Sequence, residues 1–155
     1  MKDKIPDDIV DLVIAQHQEA KKGMAEVSAA NLEHRLNLFD ALAKVLTAHA
    51  LAKVLTAHEA AERAVIYPTL RQLVDSATAM VKALLAQEDE GKAVLARLQA
   101  MDTSSDEFGL KFEEFRATVL EHDTTEEVDV VPLLCAARTK GERTQMTVAF
   151  AAARA

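Results

Sequence analysis

The chain of 155 residues has one cysteine, four glycines, three prolines and only 4 % aromatic residues. Each scarcity excludes something. Cys135 alone cannot close an internal disulfide, which fits a reducing compartment. With Gly, Pro and aromatics sparse and Ala and Leu abundant, helices should dominate. Basic residues are in deficit, 18 Lys and Arg against 25 Asp and Glu for a net charge of −7. That argues against a nucleic-acid partner, because phosphate binding wants a basic face. The opening MKDKIPDDIVDLV places acids where a signal peptide needs an apolar stretch, and no apolar run of 18 residues occurs anywhere. The expectation is a cytoplasmic protein with no membrane contact. What is present, 50 % apolar and 28 % charged residues, suits one soluble domain over 1–155.

Four long amphipathic stretches divide the chain. The first runs from about Pro6, suited to a first helical turn with Asp7 and Asp8 beside it, to about Val27. The second extends from about Leu32 to Tyr67 and is expected to end at Pro68, since a residue before proline is pushed from the α region. The third spans about Ser76 to Met101. After the capping-rich DTSSD (102–106), the fourth spans about Glu107 to Val131. The predicted fold class is all-α, an up-down-up-down four-helix bundle with a core of about 6–135 and room for a short C-terminal helix beyond Pro132.

HEAAERAVIYPTL (58–70) and HDTTEEVDVVPLL (122–134) align at an offset of 122 − 58 = 64, agreeing at His, Glu, Pro and Leu. On a helix, residues i and i+4 share a face, so His58 stands beside Glu62 and His122 beside Glu126. Each pair is half of a metal site, and two such helices facing each other would surround a pair of ions. A second alignment, QHQEAKK (16–22) over QEDEGKA (87–93) at an offset of 87 − 16 = 71, adds His17 and Glu88 as candidate ligands. Residues per helix above and below these positions put His58, Glu88 and His122 at a common level.

The first hairpin is out of level for a visible reason. ALAKVLTAH (41–49) recurs unchanged at 50–58, a tandem duplication of nine residues, and 71 − 9 = 62 nearly restores the other offset. Only the second copy has Glu at i+4, so His58 rather than His49 is the candidate. Nine residues at about 100° each leave the copies half a turn out of phase. Either the segment loops out, or a long helix overhangs and offers apolar surface to a second subunit, making a homodimer.

His17, His58-x3-Glu62 and His122-x3-Glu126 on successive helices, with IYPTL and VVPLL after the two pairs, resemble the hemerythrin-like family, the HHE cation-binding domain. The resemblance covers about residues 6–135 and implies a four-helix bundle holding two non-haem iron ions, oxo- or hydroxo-bridged, with Glu62 and Glu126 spanning them. Ferritin-like bundles use Glu-x-x-His, which no histidine here satisfies. The third helix departs from the family's oxygen carriers, with Glu88 and Lys92 where histidines are common. Carboxylates in place of imidazoles favour the ferric state, against reversible oxygen carriage, and they suit Mn or Zn as well. The resemblance therefore implies a centre acting on a small molecule: peroxide decomposition first, with oxygen, nitric oxide or iron sensing or storage as the alternative. Lys92 is read as an i,i+4 surface partner of Glu88 or, alternatively, a proton donor beside the centre, Tyr67 as a packed residue off the ligand stripe, His34 as solvated and Cys135 as a small core residue.

Overall fold

The computed structural model describes residues 6–33, 51–73, 77–102 and 105–154. Helix α1 is Ile9–Glu33. Helix α2, described from 51 to 73, passes through a π-helical turn at Glu62–Ile66 before its last stretch, Tyr67–Leu73. Helix α3 is Ala77–Ala100. Helix α4 starts at Asp106–Thr125, makes a matching π-turn at Glu126–Val130 and continues over Val131–Ala137. Helix α5 is Lys140–Arg154. The described residues contain no strand. His34, His49 and the first duplicated copy, with the overhang and dimer argument built on them, lie outside the described residues.

Packing order shows how the helices run. Along α1, apolar Ile9, Leu12 and Val13 come first, then Gln16 and His17, then Ala20, Met24 and Val27. Along α2 the order reverses: Leu51 and Leu55, then His58 and Glu62, then Ile66, Tyr67 and Leu70. Helix α3 repeats the order of α1 with Val81 and Leu84, Glu88, then Leu98, and α4 that of α2 with Phe108, Phe112 and Phe115, Glu126, then Val130 and Leu134. Neighbours are thus antiparallel, and two apolar clusters sandwich one polar layer. Burial of a large apolar side chain stabilises by about 1.5–3 kcal/mol, so the two clusters supply the drive that keeps charged groups dry between them.

Three expectations about chain ends change. Neither proline stops its helix, because each sits just past a π-turn: Tyr67 N–H reaches back to the Glu62 carbonyl and Val131 N–H to that of Glu126. The wider turn moves the carbonyl that a proline ring would strike and absorbs the lost donor, so Tyr67 stays helical (φ −67°, ψ −39°) despite preceding Pro68. The C-terminal helix is not short. Helix α5 has 15 residues, buries Phe150 and Met146 against α1 and the α2 π-turn, and is tied to the start of α1 by Arg143 with Asp8 at 2.9 Å. Cys135 is exposed, because the register that buries Leu134 turns its neighbour outward.

Candidate metal centre

Four helices each bring side chains to the polar layer, and all six candidates read from the sequence meet there. His17, His58, Glu62 and Glu126 form one group and Glu62, Glu88 and His122 another, the donor atoms within each lying no more than 4.8 Å apart. Glu62 belongs to both. Its Oε1 is 2.7 Å from His58 Nε2 and 4.0 Å from His17 Nε2. Glu126 spans the layer likewise, Oε1 lying 2.6 Å from His122 Nε2 and Oε2 3.3 Å from His17 Nε2. His17, Glu62, Glu88 and Glu126 are at most 3 % exposed.

A second ring of side chains aims the imidazoles. Nδ1 of His58 lies 2.6 Å from Gln16 Oε1, that of His122 2.8 Å from Gln87 Oε1, and that of His17 3.1 Å from Glu127 Oε1. An amide or carboxylate oxygen accepts a proton only, so each Nδ1 must donate, and in the neutral ring Nε2 is the lone-pair nitrogen facing the carboxylates. Gln16 and Gln87 are also the matched glutamines of the internal repeat. That agreement was the available signal for two residues the sequence reading did not assign to the site.

The π-turns explain a further correction. Five residues along an α-helix turn about 500°, which would carry Tyr67 roughly 140° away from Glu62. In the π-turn residue i+5 closes back on residue i, and the Tyr67 hydroxyl donates to Glu62 Oε2 at 3.3 Å and to Glu126 Oε1 at 3.1 Å. The tyrosine therefore ties the two shared carboxylates together. Lys92 also departs from its expected role: its Nζ is 4.0 Å from Glu59, while Glu88 faces Arg63 at 3.4 Å and Asp89 takes the same guanidinium at 2.7 Å. Asp123, buried and 3.6 Å from His17 Nε2, and Glu59 are carboxylates of the layer that had no periodicity signal of their own.

Electrostatics set how charge and protons are distributed in the layer. Burial, and then the Glu126 charge, raises Glu62 to about 8. Burial and the nearby Glu62 raise Glu88 to about 8, and burial with Glu88 raises Glu59 to about 7. For the imidazoles burial opposes protonation, yet the Glu126 carboxylate outweighs it and lifts His122 to about 9; Glu126 with Glu62 lifts His17 to about 11. Burial acts against the Glu126 charge too, but His122 and His17 hold it well below the ordinary carboxylate range. Burial and the two carboxylate charges raise the Tyr67 phenol, which stays protonated. Despite these short distances, Nε2 of His17 and His122, Oε1 of Glu62, both oxygens of Glu88 and Oδ2 of Asp123 have no hydrogen bond and are sealed from solvent. Imidazoles and carboxyls crowded this closely, with several of their atoms left without a hydrogen bond, are what a cation among them would resolve, replacing the protons that otherwise neutralise the layer. The imidazole and carboxylate donor set fits iron, manganese or zinc.

Fold and layer together define a helical-bundle protein with a buried His/Glu cation site. Residues 8–134 match the family model described as the hemerythrin HHE cation-binding domain, so the chain belongs to that family. No curated protein and no solved structure gives a match. Among the described residues no helix is long and apolar enough to cross a membrane.

Proposed function

We propose that the chain is a non-haem di-iron protein that decomposes peroxide or reacts with oxygen. His17 and His58 would hold one ion, His122 and Glu88 the other, with Glu62 and Glu126 available to both. The observation that carries this reading is the sharing itself: each of two buried carboxylates lies within 4.0 Å of two imidazole nitrogens. Bound iron supplies Lewis acidity and one-electron redox change at an exchangeable position.

The chain's own residues prepare that position. Gln16, Gln87 and Glu127 hold the three imidazoles in the tautomer that presents Nε2, so no reorientation is needed when a cation arrives. Tyr67 supplies one O–H to both shared carboxylates, fixing their separation and keeping a proton beside them. Phe150, 5.9 Å from the His58 ring, and the apolar clusters keep bulk water from the layer. Anaerobic purification, metal quantitation and an absorption spectrum test the reading: about two irons per chain with an oxo-bridge band support it, and rapid oxygen evolution from peroxide supports turnover. Stoichiometric, reversible binding of oxygen or nitric oxide without turnover would assign the sensing or storage role instead. An iron-free protein that takes up no iron on reconstitution would refute both.

A further inference from the structure

Beside the second donor group, α2, α3 and α4 leave a cavity of about 30 Å³. Glu88 and His122 line its inner end, Leu55 and Phe115 its wall, and Gly91 and Thr118 its outer end. Glu88 is buried, Gly91 half-buried and Thr118 exposed, so the cavity leads from the surface to the donor atoms. One water needs roughly 10–15 Å³ of such space. The cavity therefore holds a molecule of about two heavy atoms and refuses an organic substrate. Apolar Leu55, Phe115 and Val119 line it, so a charged ligand would give up its hydration on entry and an uncharged one is the natural occupant.

Gly91 leaves the outer end of this path open. It lies inside α3, where glycine is less favourable than alanine, and no described glycine has a positive φ that would demand it. A Cβ built there meets nothing within 4 Å. Neither backbone geometry nor packing requires glycine at this position, and with no neighbour within 4 Å a methyl group would fit there, so only a longer side chain would reach across the cavity mouth. We infer that the cavity is the entry port for an uncharged ligand of two heavy atoms, the class of dioxygen, hydrogen peroxide and nitric oxide, and that a side chain longer than alanine's at Gly91, or larger than threonine's at Thr118, would close it. The inference rests on the reading of the layer as a metal centre.

Stopped-flow association of nitric oxide with the anaerobic, iron(II)-loaded protein tests it, with iron content and melting temperature measured alongside. Gly91→Ala should bind at close to the wild-type rate and melt higher, because the methyl group enters open space on a helix. Gly91→Leu should keep its iron and bind at least about tenfold more slowly, since the ligand must then wait for the helices to part. Thr118→Leu, a change at an exposed position on the opposite rim, should slow binding in the same way even if Gly91→Leu does not fold. Full iron content with association unchanged in the folded variants would overturn the port while leaving the metal centre standing. Failure of the wild type to take up iron would overturn the metal centre and the port with it.

Discussion

Replacing Glu126 with Gln removes one charge and almost no volume, and the amide oxygen can still accept from Tyr67. A cation among donor atoms that lie within 4.8 Å of one another is no farther than that from the Glu126 carboxylate. At ~4 Å and an effective dielectric of ~20, one pair of unit charges is worth about 4 kcal/mol, so affinity should fall roughly a thousand-fold. The metal-free protein should suffer as well. Glu126 is 2.6 Å from His122 and 3.3 Å from His17, and removing one partner of a buried ion pair costs about 3–5 kcal/mol. For a chain of this size each kcal/mol shifts the melting temperature by ~2–4 °C, which predicts a drop of about 6–20 °C. Metal per chain after anaerobic reconstitution and desalting, together with circular-dichroism melts of metal-free protein, reads both effects. Wild-type metal content in Glu126→Gln would refute the assignment of Glu126 as a shared donor, and an unchanged metal-free melting temperature would refute its pairing with the two imidazoles.

Three further outcomes follow from the same layer. Glu62 and Glu88 hold protons to about pH 8, and His122 and His17 to about 9 and 11, in each case above their unfolded values. The folded state therefore binds more protons than the unfolded chain, metal-free stability should fall steadily from about pH 5 to 9, and the rise in melting temperature on adding metal should grow over that range; a metal-free melting temperature that climbs between pH 6 and 8 would contradict this. Gln16→Leu and Gln87→Leu should each weaken metal binding by roughly 10–100-fold, measured by chelator competition, with Gln→Glu at either position retaining binding because it keeps the acceptor. Tyr67→Phe should keep the metal but lose about 1.5–3 kcal/mol of stability from the bond to the charged Glu126 carboxylate and shift the absorption spectrum of the loaded protein; an identical spectrum and melt would deny the tyrosine its place between the carboxylates.

The sequence alone determined the all-helical class and the six residues that meet in the polar layer. Both are written in local periodicity: His58 with Glu62 and His122 with Glu126 share a helical face whatever surrounds them, and the repeat adds His17 and Glu88 at matching positions. Contacts between helices were not written there. That Gln16 and Gln87 aim His58 and His122, that Glu88 faces Arg63 rather than Lys92, and that Asp123 and Glu59 join the layer depend on which face meets which, and this is set by the packing of two apolar clusters. The largest difference came from the π-turns at Glu62–Ile66 and Glu126–Val130. A pattern read at 100° per residue has no place for an extra residue in a turn, so it makes the prolines helix ends and turns Tyr67 away from the carboxylates. Only the folded backbone, opened by one residue just where each shared carboxylate sits, carries the helices past the prolines and brings the tyrosine onto both carboxylates.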